Sequence, residues 1–422
     1  MGKITENENP LSESIVIEDK ERVVINKKIV APSGEAAVEI PGNNAQLTVK
    51  STGEISAPDQ GNTAVQVSGK DNTIRNIGQI FGSLNGVSST GEKLKLINRG
   101  TITSDSRAVD FVDGDGSSLD NNGELLGTGN QRNGTVYING PVDDANINNR
   151  HGAVIDAGEG NTGDGISVQV GVDSEDLISD GIRINNRGSV VGRGQPGFEA
   201  GSRTTANGSS GVRFFNGTSS PEAIVRGSLN NSGTISSEAN VGFLGGVVVE
   251  NGVGFQGEIN NNRSGLISGP RNGLYIGNAD HDLTINNRRG GRIESGSRAV
   301  NLNGNDITLN NSGDIFGIGD QRDGTVYIDG PGDNITINNR RHGVIDAGEG
   351  NTGDGISVQV GVDSEDLISD NIIINNRGSV IGRGQPGFEA GSRTNANGSS
   401  GVRFFNGTIV ILNDIRESII RA

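Results

Sequence analysis

The sequence predicts an all-β fold, a right-handed parallel β-helix (β-solenoid) of about 12–13 coils. A repeated motif, a second strand pattern between its copies and the composition carry that prediction. The motif is two alternating apolar residues, a polar pair usually written Asn-Asn, a glycine, a polar residue and Ile, Leu or Val. It reads Leu229-Asn230-Asn231-Ser232-Gly233-Thr234-Ile235 in one place and Ile184-Asn185-Asn186-Arg187-Gly188-Ser189-Val190 in another. With the first polar residue as marker it occurs twelve times, at Lys50, Arg75, Ile97, Asp120, Asn148, Asn185, Asn230, Asn260, Asn286, Asn310, Asn338 and Asn375. Most spacings are 22 to 30 residues, and three are longer, at 37, 45 and 37. Self-similarity at such a period marks a solenoid. Between markers, runs such as Gly165-Ile166-Ser167-Val168-Gln169-Val170-Gly171 alternate with period 2, as strands with one buried face do. Glycine supplies 69 of 422 residues, aromatics make up 3%, and Trp and Cys are absent, which suits an elongated solenoid better than a globular enzyme.

Taken in order, residues 1–22 are polar and acidic and lack the apolar core of a signal peptide. They are expected as a tail or cap that shields the open end of the solenoid. Val24, Ile25, Ile29, Ala37, Val38 and Ile40 predict an incomplete first coil. The solenoid is expected to span 23–408, each coil running strand, corner, strand, corner, with Gly, Asn and Asp turning corners at φ > 0. The Asn pair is expected at such a corner, in left-handed geometry, its amide bonded to the equivalent Asn one coil away. Residues 409–422 are expected to cap the core or to end it abruptly. Asp414 with Glu417 three residues later predicts the start of a short capping helix. No apolar run reaches membrane-spanning length, so no membrane insertion is expected. A formal charge of −16 disfavours nucleic acid and permits calcium or a basic partner.

Above the coil period lies a second repeat. Residues 154–218 match 344–408 with four differences: Gly181 against Asn371, Arg183 against Ile373, Val191 against Ile381 and Thr205 against Asn395. Packing demands only a hydrophobic pattern, so near-identity that includes loop residues reflects recent duplication or a binding surface displayed twice. The block contains the long coils, whose extra residues must leave the rod as loops. One loop centres on Asp173, Glu175 and Asp176, matched by Asp363, Glu365 and Asp366. The other carries Arg193, Phe198, Glu199 and Arg203, matched by Arg383, Phe388, Glu389 and Arg393. Insertions in solenoids collect on the face that binds, so these fourteen residues form the candidate binding surface.

Chemistry at other positions is weakly marked. Asp156, Glu159 and Asp164, repeated as Asp346, Glu349 and Asp354, are candidate calcium ligands, since calcium takes six to eight oxygens from flexible loops. Their spacing does not match the 12-residue helix-loop-helix calcium motif, and no other cofactor is expected. The three histidines do not hold one place: His151 falls where Arg341 does and His342 where Gly152 does. A catalytic imidazole does not drift between otherwise matching copies, so no catalytic residue is assigned. Alternation turns Tyr137, Tyr275 and Tyr327 outward, and Phe215 and Phe405 away from Phe214 and Phe404; packing under a neighbouring loop is the expected role.

The repeat resembles that of large bacterial surface proteins, the passenger regions of autotransporters and filamentous-haemagglutinin-like adhesins, in which Asn-Ser-Gly-Thr-Ile recurs coil after coil. Asn230-Asn231-Ser232-Gly233-Thr234-Ile235 is closest, and related units cover residues 47–380. The resemblance implies a secreted or cell-surface β-helix that acts in adhesion or surface assembly, with a cell-surface glycan, a protein or another copy of itself as partner. Two further readings stand beside it: a pectate-lyase-like polysaccharide-active enzyme, and a self-assembling sheath or fibre subunit.

Overall fold

The computed structural model describes residues 4–6, 13–127, 134–158, 163–171, 177–194, 209–217, 222–238, 244–317, 324–330, 332–348, 353–359, 370–383, 400–405 and 419–421. Their strands form three all-parallel sheets, A, B and C, of 15, 13 and 14 strands. Thirteen successive coils each lay one strand in A, then B, then C, from Arg22–Ile25 to Val402–Phe405. The parallel β-helix is as expected, but each coil has three sides rather than two. The repeated motif is itself two strands around a corner. In the coil of Asn230, Ala223–Asn231 lies in sheet A, Thr234–Ser237 in B and Gly245–Val249 in C.

The glycine of the motif makes that corner possible. A Cβ built on Gly233 would lie 2.1 Å from the carbonyl oxygen of Gly188, and one on Gly123 2.1 Å from that of Gly100. Each glycine thus stacks on the carbonyl of its counterpart one coil earlier, where no side chain fits. These glycines do not have positive φ, so close approach, and not left-handed geometry, is what requires them. A row of left-handed residues stands at the corner from C to A, at Asn44, Asp71, Lys93, Asp144, Asp306, Asn334 and Asn371, with φ of 55 to 58°, while the longer A-to-B turns have left-handed Gly152, Ser264 and Gly290 ahead of the strand. Asn371 faces Gly181 across the duplication, an exchange between two residue types that accept this region.

The Asn pair is likewise not at a left-handed corner; it ends the sheet A strand, with one amide inside and one outside. The expected coil-to-coil bonding is present, and in two rows. In the inner row, from Asn76 through Asn98, Asn231 and Asn311 to Asn376, each Nδ2 donates to the Oδ1 of the next coil at 2.9 Å. It also donates to a sheet B carbonyl, as Asn231 does to Leu266 at 3.0 Å. A buried amide left unpaired costs about 1–3 kcal/mol, so the row keeps a polar column inside an apolar core without that penalty. The row opens at Asn76 because Val49 holds the same register place one coil earlier, and Asn76 Oδ1 accordingly lacks a partner. The outer row, Asn148 to Asn375, runs the other way: each Nδ2 donates to the preceding coil, as Asn185 does to Asn148 at 3.0 Å and Asn375 to Asn338 at 2.9 Å.

Other inward positions form aliphatic columns. Ile55, Ile80, Ile102, Leu125, Ile155, Val190 and Ile235 follow one another in sheet B, none more than 1% exposed. Each contributes roughly 1.5–3 kcal/mol by burial.

The ends differ from expectation. The first coil is complete, with strands Arg22–Ile25, Lys28–Val30 and Val38–Ile40. Within the first 22 residues, Ile4–Glu6 joins sheet A and Ile15–Val16 joins sheet C, so the polar stretch extends the sheets. At the other end Ile419–Arg421 pairs with Ile373–Asn375 as a strand of sheet A, where the sequence suggested a helix. An open sheet edge presents unpaired backbone groups, and consecutive β-branched residues meet it best as a strand. Asn413–Ser418 lies outside the described residues. Among the described residues there is no helix, hence none long and apolar enough to cross a membrane.

Candidate functional site

The longer loop of each duplicated block leaves the rod between sheets B and C and returns to the same corner. In the first copy it departs after Ser189–Gly192 and ends before Val212–Asn216; in the second it departs after Ser379–Ile381 and ends before Val402–Phe405. The departing foot is an ion pair between coils. Arg193 donates from Nε and Nη2 to the two carboxylate oxygens of Asp156, at 2.7 and 2.6 Å, and reaches Glu238 of the following coil with Nη1. Arg383 repeats the fork on Asp346 at 2.8 and 2.6 Å. Two parallel N–H···O bonds fix the guanidinium plane, so the first residue of each loop has a set direction. The Arg383 fork holds the Asp346 carboxyl below its ordinary range.

The returning foot is a buried aspartate. Asp164, fully buried, accepts from Ser167 Oγ at 2.7 Å and from the Ser210 backbone N–H at 2.5 Å, with Arg213 Nη1 at 3.5 Å. Asp354 accepts from Ser357 Oγ at 2.9 Å and Ser400 N–H at 2.6 Å, with Arg403 at 3.5 Å. Burial pushes the Asp164 carboxyl up, and Arg213 opposes it. Arg213 also donates from Nε to Glu250 at 2.6 Å, which ties a third coil to the foot.

Of the expected site residues, the structure therefore joins Arg193 with Asp156 and Arg383 with Asp346, and places all four, with Asp164 and Asp354, at the loop bases. Both oxygens of Asp156 and of Asp346 already face a guanidinium, so calcium there would have to displace arginine. Among the described residues no three His, Asp or Glu side chains gather into a group fit for a metal ion. Glu159, Glu349, Asp173, Glu175, Asp176, Phe198, Glu199 and Arg203 lie outside the described residues, as do Asp363, Glu365, Asp366, Phe388, Glu389 and Arg393.

No family model, curated protein or solved structure matches the chain. The geometry alone therefore bears on function.

That geometry shows a longer duplication than sequence identity does. On the outer side of sheet C, Arg107 lies over the Tyr137 ring at 4.4 Å, and Tyr137 Oη donates to Gln169 one coil on. Arg298 lies over Tyr327 at 4.1 Å, and Tyr327 Oη donates to Gln359. The shared pattern thus begins in the fourth coil and again in the tenth. Its sequence signals are Arg107-Ala108-Val109 against Arg298-Ala299-Val300 and Gly134-Thr135-Val136-Tyr137-Ile138 against Gly324-Thr325-Val326-Tyr327-Ile328. A one-residue difference in the corner between them shifts the alignment from 191 to 190 and hides the match. The tyrosines are on the outward side, as alternation requires, yet only 3% exposed; Phe215 stacks on Tyr137 at 6.3 Å. Burial pushes the Tyr137 hydroxyl up to about 12, so it stays a hydrogen-bond donor.

Proposed function

We propose that the chain is a non-enzymatic structural and adhesive rod of the extracellular space or cell surface, whose two copies of the long loop bind one kind of surface partner. The observation that carries this reading is the identical anchoring of both loops, Arg193 on Asp156 with Ser210 on Asp164 and Arg383 on Asp346 with Ser400 on Asp354. The copies stand six coils apart at the same corner, about 29 Å along the axis at ~4.8 Å per coil. Two equal sites on a stiff spacer raise avidity for a repetitive surface without any new contact. The repeat's likeness to autotransporter passengers and filamentous-haemagglutinin-like adhesins agrees with this role, and a surface glycan, a surface protein or a second copy suits it as partner.

The test replaces 195–208, 385–398 or both with a short Gly-Ser linker and measures retention of the full chain on cells and on glycan- and protein-coated surfaces. Loss of one loop is expected to cost avidity by about 10²-fold and loss of both to abolish retention. Retention that survives loss of both loops overturns the reading, and turnover of uronic-acid polymers by the unaltered chain would replace it with the enzymatic one.

A further inference from the structure

One corner of the prism opposes the charge of the whole. The chain carries −16, yet the corner from sheet A to sheet B bears Arg99, Arg187, Arg263, Arg289, Arg341 and Arg377, all exposed and none with a carboxylate partner among the described residues. No Asp or Glu occupies any turn of this corner. The acidic residues Asp71, Asp144, Asp306 and Asp333 stand at the opposite edge of sheet A, near its start. The corner is therefore a line of cations parallel to the rod axis.

A polar notch of about 230 Å³ lies on this line, walled by Asn148, Asn149, Arg150, Asn185 and Arg187. The turn at Arg150-His151-Gly152 is longer than the two-residue turn Arg187-Gly188 above it, which leaves the step. Asn148 ends the outer amide row, and its own N–H₂ donates to no acceptor among the described residues. Arg150 is partly neutralised by Asp120, with Nη2 to Oδ2 at 3.1 Å. The same residue types recur six coils on as Asn338, Asn339, Arg340, Asn375 and Arg377, with changes around them: Asn310 replaces Asp120 and accepts from Arg340 Nη2 at 3.0 Å, and Arg341 replaces His151 in the turn. The second copy thus keeps both arginines, adds Arg341 and drops the carboxylate.

We propose that this corner is the binding track of an extended acidic polysaccharide, whose carboxylate or sulfate groups seat at Arg150 and Arg187 and again at Arg340 and Arg377. The spacing favours this class. The arginine-bearing turns recur at multiples of the ~4.8 Å coil spacing, a step unlike the ~3.4 Å phosphate repeat of a nucleic acid strand, and two of the turns carry a pair, Arg288-Arg289 and Arg340-Arg341. The corner has no Phe, Tyr or Trp on which bases would stack, and its rings are the imidazoles of His151 and His342, each in a separate turn. A concave notch lined by amides and guanidinium forks suits a single oxyanion on a chain better than the flat flank of a second rod. The proposal uses none of the loop residues, so it stands or falls apart from the loop-display reading.

The experiment titrates polygalacturonate and dextran sulfate into the full chain at low and physiological salt, with light scattering in parallel. Binding that weakens with salt is expected, and R187E with R377E is expected to reduce affinity about tenfold or more. Both positions are exposed turn residues, and far-UV circular dichroism checks that each variant folds. D120N, which removes the carboxylate beside Arg150, is expected to strengthen binding, and N310D, which adds one beside Arg340, to weaken it. The proposal is overturned if neither polymer binds, or if binding ignores the arginine substitutions. It is equally overturned if single-stranded DNA binds at least as tightly through the same arginines, or if those substitutions alter only self-association.

Discussion

His281 shows how one side chain sets a condition on the fold. Its Nδ1 accepts from the Phe255 backbone N–H at 3.1 Å, and its Nε2 stands 2.9 Å from the Gly277 carbonyl, an arrangement that fits the neutral ring with the proton on Nε2. Burial lowers its proton affinity below the ordinary 6.5. The unfolded chain then takes the proton first, so stability is complete above that value and falls as pH drops through it toward the lower folded value. Thermal melts from about pH 7 to pH 5 should show Tm declining, and H281Q, which keeps an acceptor and a donor, should flatten the decline. An unchanged slope in H281Q would assign the loss to other groups. The inner amide row makes a second residue-scale prediction. N231V removes a donor and an acceptor from the middle of the row, leaving Asn186 Nδ2 and Asn261 Oδ1 short of a partner. Denaturant unfolding should register a loss of about 1–3 kcal/mol. The same valine is harmless at position 49, where the row has not yet begun. The sequence displayed this row plainly, because a ladder of side-chain amides requires Asn at one register place in coil after coil. It did not show that the pair ends a strand, since left-handed corners and strand ends both favour Asn, and only the path of the backbone separates them.

At the scale of the element, the loop feet respond to pH in opposite senses. Asp346, held low by Arg383, contributes stability above its ordinary value of 3.8, and that contribution disappears as pH falls through the lowered folded value. D346N is therefore expected to cost about 1–2 kcal/mol at neutral pH, discounted because Arg383 is partly exposed, and almost nothing in strong acid. Asp164 has its folded affinity for the proton raised, so its contribution weakens as pH rises from 3.8 through that raised value. Equal pH profiles for D346N and the parent would show that the fork does not stabilise the foot. The position of the loops was legible from the long spacings alone. The forks were not, because Arg193 and Asp156 are 37 residues apart, and nothing short of the coil geometry places them in neighbouring turns. The three-sided coil was missed for a related reason: a two-residue corner such as Ser232-Gly233 leaves no break in the apolar alternation.

For the molecule as a whole, the duplication spans a whole number of coils. Removing residues 164–353, one repeat of 190, joins Gly163 to Asp354 within matching sequence and should leave seven coils in unbroken register. That chain is expected to keep its β-sheet circular dichroism and to be shorter by about 29 Å in small-angle scattering. A collapsed or aggregated product would mean that the two halves are not interchangeable. Stability in such a stack is close to a sum over neighbouring turns, so Tm should fall modestly rather than vanish.

The same integer relation reaches beyond the protein to the DNA that encodes it. Two nearly identical segments in one reading frame invite unequal crossing-over, and each exchange here would add or delete 190 codons without disturbing a single strand pairing on either side. A population of such genes would hold rods in a ladder of discrete lengths, every one able to fold, all with their loops rooted at the same corner.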